Sequence, residues 1–269
     1  MRITFINLTL FYLINMNIIL TGLMLAFVAG LATTIGSAVV FFIKEMKGSY
    51  LAFSLAFSTG VMITVSFIEL LPEGIESIGY SNALIAFFVG AVFVALLDHF
   101  IPHEYIMEKV TKTKQTNTKL TKTCSLVAIG LAIHNFPEGF AVFAGNLKSF
   151  ELGLTMTLAI AIHNIPEGIA VSIPVYFATK KKRKAFFVSF LSGITEPIGA
   201  LIGALILLPF LSDGVIGASL AFVAGIMVYI CIDELLPTAM KYSEGNSHLM
   251  TFGFLIGSIV MGISLSLLA

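Results

Sequence analysis

The chain has 269 residues, 58% of them hydrophobic and only 11% charged, with no net formal charge. A soluble domain carries about 25% charged residues, so a water-soluble globule, a disordered chain and a coiled coil are excluded. The two cysteines, Cys124 and Cys231, both lie in apolar stretches and give no disulfide scaffold; balanced charge gives no reason to expect a nucleic-acid partner.

What remains is an all-α integral membrane protein, one polytopic domain over 1–269 with the lipid bilayer around it. Apolar stretches run over 18–43, 50–71, 82–101, 124–146, 152–178, 185–211, 214–236 and 249–268. A spanning helix needs about 20 apolar residues, so these predict eight transmembrane helices. They are too long for the roughly 10-residue alternating strands of a membrane barrel. Residues 1–17 read as an extension of the first helix, or as sequence upstream of a start at Met16. Arg2 and its short apolar run lack the small-residue cleavage site of a signal peptide. Between the third and fourth spans, 102–123 is a Lys/Thr-rich loop expected to be mobile.

Of the 15 Lys and Arg residues, 13 follow spans one, three, five or seven, and only Arg2 and Lys148 fall on the other side. The positive-inside bias predicts that those four connections are cytoplasmic and that both termini are outside.

The sequence also repeats itself. Residues 54–72 (SLAFSTGVMITVSFIELLP) align with 219–237 (SLAFVAGIMVYICIDELLP) at 10 of 19 positions. Residues 30–36 (GLATTIG) echo 193–199 (GITEPIG), and 132–142 (AIHNFPEGFAV) match 161–171 (AIHNIPEGIAV). Each pairing joins spans an odd number apart, so the mates cross the membrane in opposite senses. The prediction is an inverted repeat, helices 1–3 related to 6–8, around a central pair of helices 4 and 5. Transporters are often built this way, with the substrate held near the midplane at the repeat interface.

Acids are unusually frequent in these spans: Glu69, Asp98, Glu138, Glu167, Glu196, Asp233 and Glu234, joined by His99, His134 and His163. No span interior holds Lys or Arg, although a charge at mid-bilayer costs about 2.5–3.5 kcal/mol on insertion scales. The missing positive charge must be protons or bound metal ions. His134, Asn135 and Glu138 lie at about 0°, 100° and 40° on a helix, with the acid central, and His163, Asn164 and Glu167 repeat that arc. Pro137 and Pro166 are expected to disturb the turn before each. Two such helices face to face offer imidazoles, carboxylates and amide oxygens. That set suits Zn²⁺, with Fe²⁺ and other first-row ions also fitting. Each Glu, lying between a His and an Asn, can reach two ions, one in a His-rich and one in an oxygen-rich position. Glu196 is a candidate third-helix ligand.

A lone His in such a helix is ordinarily explained by interhelical hydrogen bonding; the doubled H-N-x-P-E-G is not. Glu69 and Glu234 read equally as mouth residues and as interfacial acids that snorkel. Asp98, His99 and His103 read as ordinary interfacial polarity or as a transient exit site, and Met62 and Met227 fit packing. The GxxxG pairs Gly199/Gly203 and Gly253/Gly257 predict tight helix contact; they are compatible with a homodimer without requiring one.

At HNFPEG (134–139) and HNIPEG (163–168) the chain resembles the ZIP family of divalent metal transporters, over roughly 18–269. The resemblance implies eight helices, a bacterial inner-membrane location, and a binuclear metal site between helices 4 and 5. It further implies inward movement of Zn²⁺, with Fe²⁺, Mn²⁺ and Co²⁺ as further cargo and no separate cofactor. His134, Glu138, His163 and Glu167 would carry the zinc position, and Asn135, Glu138, Asn164, Glu167 and Glu196 the second. Relatives with a His-rich loop between spans three and four differ from this chain, which has Lys and Thr there. The residues themselves leave two other classes open: a proton-coupled carrier of another cation, and a membrane metalloenzyme, although no H-E-x-x-H is present.

Overall fold

The structure, a computed structural model, describes residues 2–42, 48–100, 135–210, 212–243 and 245–268, and these are helical with no strand among them. Helix α1 (Arg2–Ala38) runs unbroken through the leader, as the extension reading expects, and ends in the 3₁₀ turn Val39–Phe41. Then come α2 (Gly48–Val65), α3 (Leu71–Ile78) and α4 (Tyr80–Phe100). Residues 135–148 form α5. The second half comprises α6 (Phe150–Thr179), α7 (Lys182–Gly193), α8 (Thr195–Leu207), α9 (Asp213–Ile230), α10 (Leu236–Tyr242) and α11 (Ser247–Leu268). Among the described residues, six stretches are long and apolar enough to cross a membrane: Met16–Phe41, Gly48–Ile78, Tyr80–Leu97, Lys182–Phe210, Asp213–Tyr242 and Ser247–Leu267. The 102–123 loop, His103, His134 and the side chains of Asp98 and His99 lie outside the described residues.

Ends and interruptions have local causes. Ser149 caps α6 by accepting from the Leu152 N–H at 3.1 Å, and Ser212 caps α9 by accepting from Val215 at 3.2 Å. Proline at 166 does not end α6, which stays helical through it. The clearer break comes at Ile194, between α7 and α8. Pro197 supplies no N–H to the Gly193 carbonyl four residues back, and that carbonyl packs on Gly30 of α1 instead. Two π-helical turns, Ser66–Leu70 and Cys231–Leu235, are absent from the sequence reading. Each precedes a proline, Pro72 or Pro237, whose ring would strike the carbonyl of Ile68 or Asp233. The widened turn shifts bonding to five residues back: Leu71 N–H donates to Ser66 and Leu236 N–H to Cys231.

The helices sort into two sets. Helices α1, α6, α7 and α8 pack on one another, while α2, α3, α4, α9, α10 and α11 form the other set; α2 and α11 join them by lying against α6. Helix α5 sits with the first set, since Gly139 meets the Glu196 carbonyl, Gly199 meets the Phe136 carbonyl and Gly22 meets the Phe143 ring. Both GxxxG pairs are used inside the chain: Gly199 and Gly203 against Phe136 and Phe140, Gly253 and Gly257 against Phe53 and Phe57.

Contacts also define two ends. Lys182 Nζ donates to the Phe41 carbonyl at 2.9 Å, and Gly48 meets the Tyr242 carbonyl. At the opposite end Lys148 Nζ donates to Ser77 Oγ at 3.2 Å and pairs with Glu73 at 3.7 Å, and Ser77 packs on Gly217. Of the described basic residues, 180–184 and Lys241 lie toward the first end and Lys148 at the second.

Candidate metal centre

The two copies of N-x-P-E-G meet in the interior. Glu138 of α5 and Glu167 of α6 are 1% and 2% exposed, and Asn135, His163, Asn164 and Glu196 are fully buried. One ligand atom each from Glu138, His163 and Glu167 lies within 4.8 Å of the others. The i, i+1, i+4 spacing predicts that convergence. It depends on close helices: a Cβ on Gly139 would strike the Glu196 carbonyl and one on Gly168 the Thr33 carbonyl.

His163 is anchored through its Nδ1. Its Nδ1 lies 3.1 Å from the Ala159 carbonyl oxygen, which can only accept, so Nδ1 carries a proton. Nε2 therefore faces inward, 3.0 Å from Glu138 Oε1. A hydrogen bond at that distance needs one proton between them, on the ring or on the carboxyl group. A metal ion on these two atoms must displace it. Anchoring the far ring nitrogen to a carbonyl is the usual way a metal-binding histidine is oriented.

Asn164 is clamped similarly. Its Nδ2 donates to the Ala29 carbonyl at 3.0 Å and to Glu196 Oε1 at 2.6 Å. The carbonyl partner fixes the amide orientation and turns Oδ1 away, buried and without a hydrogen bond. Both oxygens of Glu167, Oε2 of Glu196 and both polar atoms of Asn135 are likewise buried, with no well-formed hydrogen bond outside the Asn135–Glu167 pair. Asn135 lies beside Glu167. Buried polar atoms are normally satisfied, and such a concentration calls for a cation. Among the described residues no lysine or arginine is buried.

Of the residues singled out from sequence, Asn135, Glu138, His163, Asn164, Glu167 and Glu196 are thus brought together, while His134 lies outside the described residues. Two neighbours were not singled out as ligands. Glu234, half-buried, and the buried thiol of Cys231 lie within electrostatic reach of Glu167 and Glu138, respectively. Their signal in the sequence was faint: one acid near a helix end and one cysteine in an apolar run. Met62 and Met227 are buried in the apolar core, as packing predicts.

A family model described as the ZIP zinc transporter matches residues 107–265. The zinc transporter ZupT of Clostridium perfringens is 43% identical, over 94% of this chain and 98% of that protein. The chain belongs to the ZIP family. The ZIP relatives from Chlorobium luteolum and Streptococcus mutans, both zinc transporters ZupT, are 45% and 43% identical, each over 92% of this chain and 97% of its relative. The resemblance seen in the two H-N-x-P-E-G motifs therefore extends over nearly the whole chain.

Proposed function

We propose that the chain takes up divalent metal ions across the bacterial cell membrane, Zn²⁺ first, with Fe²⁺, Mn²⁺ and Co²⁺ as further cargo. It is a transporter and not an enzyme, as its zinc-transporter relatives are. The observation that carries this reading is the buried meeting of Glu138, His163 and Glu167 ligand atoms within 4.8 Å, in an interior without a buried lysine or arginine among the described residues. Imidazole nitrogen with carboxylate oxygen suits Zn²⁺. Asn135, Asn164 and Glu196 form the oxygen-rich side, and Glu138 and Glu167 lie between the two, so the site takes two ions with the glutamates bridging. His134 completes the zinc position.

The architecture in this reading is eight spanning helices in an inverted repeat. Its support lies in contacts that occur twice with mates exchanged. Gly30 and Gly193, repeat mates, each abut the other's carbonyl; Gly36 meets Ile165 while Gly199 meets Phe136; Gly60 meets Phe254 while Gly225 meets Phe87. The two π turns fall at matching positions. Both termini are outside, following the basic-residue bias.

Uptake of Zn²⁺ into proteoliposomes tests the function. Wild type should fill vesicles that carry an internal zinc indicator, and His163→Gln at equal reconstitution should not. Equal filling by both would contradict the reading. Imposing and then collapsing a pH gradient in the same vesicles separates proton-coupled from uncoupled flux.

A further inference from the structure

The five consecutive basic residues 180–184 take no part in the metal site. We propose that Lys181, Arg183 and Lys184, with Phe41, bind the headgroup of an anionic phospholipid of the surrounding bilayer. The inference needs only that the chain is embedded in a membrane and stands apart from the metal reading.

Local geometry is the first argument. Lys180 has φ 55°, the one non-glycine positive φ among the described residues, and its N–H closes α6 on the Tyr176 carbonyl at 2.7 Å. A side chain at that φ is strained, and strain that persists is a pointer to function. It makes the α6–α7 turn tight and crowds five cations onto it. Helix α7 then begins at Lys182 with no side-chain cap and no acidic residue in its first turn. The positive end of a helix dipole disfavours cations, yet here it carries three. Its first N–H groups also start without intrahelical acceptors. Among the described residues, Lys181, Arg183 and Lys184 have no carboxylate partner.

The second argument is the surface around them. Lys182 is bent back, its Nζ on the Phe41 carbonyl at 2.9 Å and 5.7 Å from the Tyr176 ring centroid. That tie joins the end of α1 to the start of α7 and leaves an open groove lined by Phe41, Lys181, Lys182, Arg183 and Lys184. Phe41 packs on Phe186 with centroids 5.6 Å apart, while Phe42 and Phe187 are 85% and 57% exposed. One wall is therefore made by the methylene stems of basic residues and the adjoining one is aromatic, at the end of two helices that cross the membrane. A phosphodiester with acyl chains attached matches both walls; a free phosphate matches one. The positive-inside bias explains basic residues on a face. It does not require five in succession at a helix's positive end beside an apolar groove.

The test uses the whole purified protein in detergent, with phosphatidylglycerol, phosphatidylcholine or inorganic phosphate added. Native mass spectrometry counts retained lipid and thermal unfolding reads stabilisation. Wild type should retain phosphatidylglycerol in preference to phosphatidylcholine and be stabilised by it, and phosphate alone should do neither. Lys181→Gln/Arg183→Gln/Lys184→Gln should bind phosphatidylglycerol about tenfold or more weakly. Its thermal unfolding without added lipid should stay cooperative and close to the wild-type midpoint, which shows that it folds. Should the triple variant not fold, Arg183→Gln is read alone and should show a smaller loss in the same direction. Equal retention of both lipids, an undiminished phosphatidylglycerol effect in the variants, or its reproduction by phosphate would overturn the proposal.

Discussion

The two helix sets bury different chemistry. The set α1, α5, α6, α7 and α8 holds every charged or imidazole side chain that is buried among the described residues: Glu138, His163, Glu167 and Glu196. The other set buries Leu, Val, Ile, Met and Ala, with a few hydroxyls bonded to their own helix, such as Thr59 to the Leu55 carbonyl and Thr64 to Gly60. Its acids Glu69 and Glu234 are half-buried and Asp233 is exposed, all three within the π turns. Sequence kinship within the first set makes the contrast sharper. Glu196 and Thr33 are mates in the repeat, and only one is an acid. The helical scaffold forms with or without that carboxylate, which leaves Glu196 free for the metal role proposed above.

The largest expected effect is loss of the bridging acids. Glu138→Gln or Glu167→Gln should weaken Zn²⁺ binding by at least ~100-fold, because losing even a partner that orients a ligand costs about 10–100-fold. Folding should survive, since an amide is cheaper to bury than an unpaired carboxylate. Thermal unfolding of the metal-free variants checks that, and a collapse in stability would make these acids structural. Next comes packing. Gly168→Ala drives a methyl group into the Thr33 carbonyl and should cost about 1–3 kcal/mol, whereas Gly262→Ala meets nothing within 4 Å and should be neutral or slightly stabilising. Unfolding midpoints of the two read the difference directly, and similar midpoints would deny the close approach.

A smaller effect is expected at Glu196. Glu196→Gln can still accept from Asn164 Nδ2, so its fold should persist while Mn²⁺ and Fe²⁺ are lost more than Zn²⁺. Uptake competition at matched expression measures it, and equal loss of all metals would argue against two distinct positions. The smallest belongs to the apolar set. Met227→Leu, 1% exposed and nearly volume-conserving, should change stability by less than about 1.5 kcal/mol and leave metal binding alone. A binding loss there would make Met227 a ligand and erase the contrast.

Much of the site was legible because helical periodicity is local. The spacing of His163, Asn164 and Glu167 puts them on one arc whatever surrounds the helix, and a doubled motif on neighbouring spans implies that two such arcs meet. Glu196 joined them as a suggestion, because its bond to Asn164 depends on how α8 packs on α1 and α5, which no spacing encodes. The anchoring of His163 by the Ala159 carbonyl was hidden for a related reason: it depends on a side-chain rotamer. A proline disturbs a helix, but whether the helix answers with a kink, a break or a π turn, as before Pro72 and Pro237, is set by packing. Pro166, inside a continuous α6, and Pro197, next to a real break, show that residue type does not decide it. Lys180 gave no hint of its left-handed backbone, since lysine there is strained and glycine was the expected residue.

The central claim is that Glu138, His163 and Glu167 together hold the transported ion. Calorimetric Zn²⁺ titration of purified wild type and Glu138→Gln across pH 5 to 8, in buffers of different ionisation enthalpy, tests it most directly. Wild type should release at least one proton per ion bound, the one now shared between His163 Nε2 and Glu138, at 3.0 Å. Because protons and Zn²⁺ compete for the same atoms, its affinity should fall as pH falls. Glu138→Gln should bind far more weakly and lose part of that dependence. If the variant binds Zn²⁺ as tightly as wild type, with the same proton release and the same pH profile, the ion is held elsewhere.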